Sequence, residues 1–249
     1  MNTRFMLNNH NTFTYVPDPS APPVIGHCDT VITLEGWQTI LKSPEAIIAC
    51  ASVTDHRDTW QPFPIGMGYQ YGLFFLEVEA LQIGKHDNTV LCAISITAPK
   101  REFFVDILTH NGISNKTLEP ESYFRGLPSY KFVISPEGAG IDTHRTYEAL
   151  MAGCIPICEE NPLMREKFAG CPILYTNDYS EITPAYLEEI YPTMLHKLYD
   201  FSRLFLSFYT EEERNMIKEC RRYWIYKFSI DHMITWTSPS FFVFKALSN

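Results

Sequence analysis

The chain has 249 residues, of which 45% are hydrophobic, 20% charged and 14% aromatic. This balance excludes a disordered chain, and a chain of this length can bury a core without disulfides. The formal net charge is −9, from 20 basic and 29 acidic residues. No basic stripe stands out, so nucleic acid is not an expected partner.

The sequence contains no candidate signal peptide or membrane helix. Residues 1–13 are polar, and the longest apolar runs, 46–53 and 89–97, are far shorter than the ~20 residues that span a bilayer. The seven cysteines include no C-x-x-C spacing, which favours free thiols in a reducing compartment. Together with the Met1 start, these features predict a cytoplasmic protein without a membrane segment.

Before residue 88 the pattern predicts little regular structure. Prolines leave room for one short strand at 12–16. A helical pattern follows at 34–42, then a buried strand at 46–53 and an irregular loop at 55–67.

From residue 88 the pattern becomes regular. Strands are predicted at 89–96, 130–135, 154–158 and 172–175, and helices at 101–110 and 142–152. Gly153 is placed as the C-terminal cap of the second helix. Alternating strands and helices favour parallel βαβ units in an open α/β sheet.

The tail is predicted to be helical. Apolar residues at helical spacing predict an amphipathic helix across 194–208. Thr210, followed by Glu211, Glu212 and Glu213, predicts the start of a last helix that runs to about residue 228.

Residues 130–157 carry the strongest chemical signal. A buried strand leads into a loop with Gly138 and Gly140, then into a helix start and a second strand. Ligands of open α/β sheets bind at such loops, where glycines allow close approach and free N–H groups favour a phosphate. Arg145 adds a forked cation, and Glu148 lies on the same helix face, where its carboxylate suits vicinal hydroxyls. The alternative is a structural turn with an Arg145–Glu148 salt bridge.

This stretch resembles the donor-nucleotide segment of exostosin-type glycosyltransferases (glycosyltransferase family 47), including those of large algal viruses. The family pattern is R-x-x-E-A-x-x-x-G-x-I-P-V, and it is matched by Arg145, Glu148, Ala149, Gly153, Ile155 and Pro156. Ile157 replaces the usual Val. The clear match covers about 28 residues, 130–157, and a looser one most of 89–175.

The resemblance implies a GT-B-like fold, with two Rossmann-like domains, inversion at the anomeric carbon and no obligatory metal. The absence of a D-x-D pair at a strand end in the sequence agrees with this. The resemblance also implies that Arg145 binds the donor diphosphate and that Glu148 binds the ribose. The donor sugar and phosphates would be lined by Glu137, Gly138, Gly140, Asp142, Thr143 and His144. Lys100 or Arg101, after the first strand of this domain, is placed by topology to supply a second cation.

An inverting transferase also needs a general base for the acceptor hydroxyl. The segment Gly26-His-Cys-Asp29 resembles a short His-Asp segment of the family, with one residue inserted. We favour Asp29 as the base, with His27 as the alternative. Residues 55–58 offer further candidates, and all of these can also be loop residues without a catalytic role.

The predicted organisation is unequal. Residues 1–87 form a reduced N-terminal acceptor-side domain, 88–210 the nucleotide-sugar-binding domain, and 211–249 a helix returning to the N-terminal domain. The resemblance implies transfer from a UDP-sugar to a hydroxyl of a glycan or glycoprotein acceptor. Xylose is favoured because no extra Lys/Arg pair is placed to meet a uronate carboxylate. The alternatives are a non-catalytic nucleotide- or glycan-binding relic of this fold and a nucleotide-sugar epimerase.

Overall fold

The computed structural model describes residues 4–7, 13–16, 31–32, 66, 68, 86–96, 99–138, 141–204 and 208–214. The helices and strands follow in the order β1 (Arg4–Leu7), β2 (Phe13–Val16), β3 (Val31–Ile32), β4 (Asn88–Leu91), α1 (Pro99–His110), α2 (Pro120–Gly126), β5 (Tyr130–Ile134), α3 (His144–Met151), β6 (Ile155–Glu159), α4 (Pro162–Lys167), β7 (Leu174–Thr176), α5 (Pro184–Leu195) and β8 (Tyr199–Asp200). Within these ranges, no helix has the length and apolar character needed to cross a bilayer.

Strands β4 to β7 form a parallel sheet in chain order. The register aligns Phe132 with Ile155 and Ile157 with Leu174. The side chains of Phe132, Val133, Ile134, Ile155 and Ile157 are fully buried, as expected for strands covered on both faces. The predicted α/β class is confirmed.

Helices cover both faces of this sheet. The Phe132 ring packs edge-on against Tyr191 of α5, with ring centroids 5.7 Å apart. The hydroxyl of Ser135, just past the end of β5, bonds to that of Thr146 in α3 at 2.9 Å. Since positions 132 and 135 point to opposite faces, α5 and α3 lie on opposite sides of the sheet.

The ends of two helices are formed as the sequence predicts. Gly153 has φ of +79° directly after α3, where the Cys154 N–H donates to Ala149 O at 2.8 Å and the Gly153 N–H donates to Leu150 O at 3.1 Å. This pair of bonds is the Schellman arrangement. At residue 210, the Glu213 carboxylate accepts from the Thr210 N–H at 2.8 Å, and the Thr210 hydroxyl accepts from the Glu213 N–H at 3.3 Å, which forms a capping box.

The predicted amphipathic helix across 194–208 is wrong. Helix α5 ends at Leu195, and Tyr199–Asp200 forms β8, which pairs antiparallel with β3. The Asp200 N–H donates to Gly170 O at 2.9 Å, and the Asp200 carboxylate accepts from the Ser202 N–H at 2.8 Å. These contacts favour a strand and a turn. Leu198, which the helical pattern requires to be buried, is 70% exposed.

Other predictions fall partly outside the description. The helix at 34–42, the strand at 46–53 and the end of the last helix lie outside the described residues, and the three domain bounds stay predictions. Strand β4 is shorter than predicted and ends at Leu91. The four described cysteines, Cys92, Cys154, Cys158 and Cys171, are free and buried, as predicted.

Candidate functional site

A cavity of about 400 Å³ opens beyond the carboxyl end of β4. Its described lining comes from the segment after β4, the loop before α2, helix α2 and the first turn of α3: Ala93, Ile94, Ser95, Ile96, Asn115, Lys116, Thr117, Leu118, Pro120, Tyr123, Phe124 and Arg145. Among these residues the charged ones are Arg145 and Lys116, both cationic. The cavity therefore suits an anion, although the chain as a whole is acidic.

Asn115 shapes the wall of this cavity. Its side chain accepts the Ile94 N–H at 2.7 Å and donates to Ile94 O at 3.0 Å, so it occupies the place of a neighbouring strand. The Lys116 N–H donates to Cys92 O at 2.9 Å. These bonds occupy backbone groups of Cys92 and Ile94 directly after β4 ends at Leu91.

Arg145 stands in the first turn of α3 and contributes the cationic floor of the cavity. Its Nη2 donates to Ala93 O at 2.7 Å, and its guanidinium lies over the Tyr123 ring, 5.8 Å from the centroid. Nε is shielded from solvent, and no hydrogen-bond partner lies within reach in the described part of the chain. Burial acts to lower the pKa of Arg145, but Tyr123 and Glu148 together hold this pKa above its usual value.

Glu148 lies on the same face of α3 as Arg145, as the spacing predicts, because both contact Tyr123. Its side chain is buried, and its carboxylate accepts from the Gly68 N–H at 3.1 Å and from the Tyr123 hydroxyl at 3.5 Å. The alternative of an Arg145–Glu148 salt bridge is not formed in this described helix. Burial raises the pKa of Glu148, and the charges of His144 and Arg145 oppose that rise. The expected contact with a ribose stays a prediction.

The Arg101 guanidinium is hydrogen-bonded to backbone carbonyl groups in and near the loop that contains Gly138. This buried side chain donates from Nε to Glu137 O at 2.8 Å, from Nη1 to Ser95 O at 3.1 Å and from Nη2 to Pro136 O at 3.3 Å. A Cβ on Gly138 would lie 2.8 Å from Nη2, so glycine is needed for this close approach. Arg101 therefore holds backbone groups of this loop together, and its predicted contact with a phosphate stays a prediction.

Lys100 of α1 forms an ion pair with Glu137, which lies in the same loop. Lys100 Nζ lies 2.9 Å from Glu137 Oε2 and 3.7 Å from Glu159 Oε1, and the Lys100 side chain is 54% exposed. A phosphate would have to compete with these two carboxylates for the ammonium group. Neither Lys100 nor Glu137 is among the described residues that line the Arg145 cavity.

Asp142 and Thr143, just before α3, and His144, its first residue, all bond to other parts of the protein. The Asp142 carboxylate forms a buried ion pair with Lys167 at 2.5 Å and accepts from the Tyr147 hydroxyl at 3.0 Å. The Thr143 hydroxyl bonds to that of Ser135 at 3.2 Å. His144 Nδ1–H donates to Gly66 O at 2.8 Å. These contacts give Asp142, Thr143 and His144 structural partners. Contact between these three residues and a donor stays a prediction.

Three predicted site residues, His27, Asp29 and Gly140, lie outside the described residues. The structure adds Tyr123, Asn115 and Glu159, which the sequence analysis missed. Tyr123 sits in a helix of seven residues, α2, too short to give a clear apolar period. Asn115 and Glu159 act through contacts distant in sequence, which no local pattern reveals.

The described residues contain no cluster of three or more His, Cys, Asp or Glu side chains placed to hold a metal ion. Comparison with known proteins gives no match to a protein-family model and none to a curated protein.

Proposed function

We propose that this chain is an inverting glycosyltransferase of exostosin type, which transfers a sugar from a UDP-sugar to a hydroxyl of a glycan acceptor. The observation that carries the proposal is the Arg145 cavity. A guanidinium at the start of a helix, with its Nε shielded and unbonded within the described structure, lines a cavity of about 400 Å³ at the carboxyl edge of a parallel sheet. This is where α/β proteins bind phosphate-bearing ligands.

The chemistry of the transfer fits such a cation. As the bond between the sugar and UDP breaks, negative charge develops on the phosphate oxygens. Arg145 and the free N–H groups at the start of α3 would stabilise this charge, and one well-placed donor contributes typically ~2.7–4 kcal/mol. Lys116 also lines this cavity, but its ammonium group donates to the Tyr130 hydroxyl at 3.0 Å, so the proposal rests on Arg145.

The remaining parts of the proposal follow from the resemblance. A GT-B-like arrangement would place the donor in the 88–210 half and the acceptor beside the 1–87 half, without an obligatory metal. Asp29 would take the proton of the acceptor hydroxyl, with His27 as the alternative. Asp29→Asn should leave UDP binding unchanged while transfer collapses, and full activity in that variant would exclude Asp29 as the base. The enzyme would act in the cytoplasm.

A panel of nucleotide sugars tests the function. UDP-xylose, UDP-glucuronate, UDP-galactose and UDP-N-acetylglucosamine are compared for thermal protection of the protein and for UDP release with and without acceptor glycans. Release of UDP that accelerates with an acceptor supports a transferase, and we expect xylose to be preferred. Protection without release would indicate a binding protein, and sugar interconversion without an acceptor would indicate an epimerase. Absence of protection by UDP and by every donor would refute the proposal.

A further inference from the structure

The backbone of residues 135–138 is hydrogen-bonded by two side chains of opposite charge, Arg101 and Glu159. Arg101 donates to the carbonyl oxygens of Pro136 and Glu137. From the other side, both oxygens of the Glu159 carboxylate accept the N–H of Glu137, at 3.3 and 3.1 Å. A cation thus holds the acceptors of this loop, and an anion holds one of its donors.

Glu159 also ties together the segments that end at this edge of the sheet. It is the last residue of β6. Oε2 accepts from the hydroxyl of Tyr179, after β7, at 3.2 Å, and Oε1 lies 3.7 Å from the ammonium of Lys100, in α1. The Glu159 side chain is 15% exposed. One carboxylate therefore contacts the segments that follow β4, β5 and β7.

Holding the loop with the Glu159 carboxylate is energetically unfavourable in one respect, because a charged group is taken out of water. Burial raises the pKa of its carboxyl, because removing a charge from water is unfavourable. A neutral acceptor of similar shape would make a hydrogen bond to Glu137 N–H without that cost. The charge is better explained by the strength and direction of its bond to the loop, since bonds to an ionised acceptor are shorter and stronger than neutral ones.

We propose that Glu159 is a positioning residue of the nucleotide site, which fixes the backbone of residues 135–138 so that Arg101 can hold the cavity wall. The connection to the cavity runs through Arg101, whose Nη1 donates to Ser95 O while Nε and Nη2 hold the loop. Ser95 lines the Arg145 cavity, and Glu159 is not among its described lining residues. The inference rests on the proposed function for the identity of the ligand, a nucleoside diphosphate.

Two substitutions and one control test this role with UDP as the probe. Glu159→Ala removes the acceptor, whereas Glu159→Gln keeps one oxygen that can accept from Glu137 N–H. Glu160→Gln is the matched control, since Glu160 is adjacent, pairs with Arg165 at 2.5 Å and has no described contact with the loop. We expect the Kd for UDP to rise about tenfold in Glu159→Ala, to return to within about threefold of wild type in Glu159→Gln and to stay unchanged in Glu160→Gln. The melting temperatures measured without UDP should not rank these variants in the same order as their Kd values, because Glu159→Gln removes a largely buried charge.

Hydrogen exchange at the Glu137 amide gives a second readout that needs no nucleotide. We expect exchange at Glu137 to accelerate about tenfold in Glu159→Ala, while amides inside β5 keep their protection. Unchanged exchange at Glu137 would overturn the positioning role. Faster exchange with unchanged UDP affinity would overturn its connection to the nucleotide site. If the wild-type protein binds no UDP, the proposed function fails, and amide exchange alone decides whether Glu159 positions the loop.

Discussion

Replacing Lys167 by Met should be strongly destabilising, because it leaves a buried carboxylate without its cation. Lys167 Nζ lies 2.5 Å from Asp142 Oδ2, and the two side chains are 1% and 0% exposed. The Tyr147 hydroxyl, which donates to the same oxygen at 3.0 Å, remains as a partner but carries no charge. Removing one member of a buried ion pair typically costs about 3–5 kcal/mol of unfolding free energy.

Urea unfolding measures this loss, with a double variant as the control. At a slope of roughly 3 kcal/mol/M, the midpoint for Lys167→Met should fall by about 1–2 M. Adding Asp142→Asn removes the stranded charge, and well-packed neutral replacements of buried pairs are often tolerated. We therefore expect the double variant to be more stable than Lys167→Met by at least about 2 kcal/mol.

Two results would refute this reasoning. A loss below about 1 kcal/mol in Lys167→Met would show that the ion pair is not buried in solution, since exposed pairs contribute about that much or less. A double variant as unstable as Lys167→Met would show that the stranded charge is not the cause. UDP binding by the double variant also separates two roles of Asp142: we expect it to persist if the carboxylate is structural and to be lost if it contacts the donor.

Two further substitutions test the loop and the helix beside the cavity. Burial raises the pKa of Glu148. Between the ordinary carboxyl pKa and the raised one, the folded state therefore binds more protons than the unfolded state. The contribution of Glu148 to the free energy of unfolding falls as pH rises through that window. Glu148→Gln should reduce this slope in urea unfolding at a series of pH values, and an unchanged slope would contradict the assignment. Gly138→Ala should cost about 1–3 kcal/mol in the same assay, since its Cβ would lie 2.8 Å from a guanidinium that three carbonyls hold in place. At the control Gly126→Ala, φ is −76°, and within the described structure the new Cβ meets no heavy atom within 4 Å apart from its chain neighbours and its own helix backbone. This control should be neutral or slightly stabilising, and equal losses in both variants would contradict the argument.

The sequence predicts those parts of the fold that depend on neighbouring residues. The end of α3 at Gly153 and the helix start at Thr210 need only a glycine that adopts positive φ and a hydroxyl placed before acidic residues. The strands β5 and β6 are recognised because residues 132–134 and 155–158 are apolar, as expected where both faces of a strand are buried.

Features that depend on distant contacts are not predictable in this way. The apolar spacing across 194–208 is typical of a helix, yet Tyr199–Asp200 finds a strand partner at Val31–Ile32, more than 160 positions earlier in the chain. Helix α4, of six residues, is too short for its period to stand out.

The same distinction between neighbouring residues and distant contacts applies to the candidate site. Arg145 and Glu148 can be placed on one helix face from their spacing alone, and both contact Tyr123. The use of Arg101 cannot be foreseen, because the carbonyl groups it binds belong to loops brought together by the sheet. Asp142 likewise looks like a loop carboxylate until Lys167, 25 positions later, is found beside it.

Calorimetric titration of UDP into the wild-type protein and two arginine variants tests the central claim most directly. Arg145→Ala removes the cavity guanidinium, whereas the control Arg125→Ala removes an exposed one that pairs with Glu121 on α2 at 2.8 Å. We expect UDP to bind the wild type and Arg125→Ala equally, and to bind Arg145→Ala at least about thirtyfold more weakly, because truncating one partner of a buried charge pair costs about 2–5 kcal/mol. Equal affinity of Arg145→Ala and the wild type for UDP would contradict the assignment of this cavity as the diphosphate site.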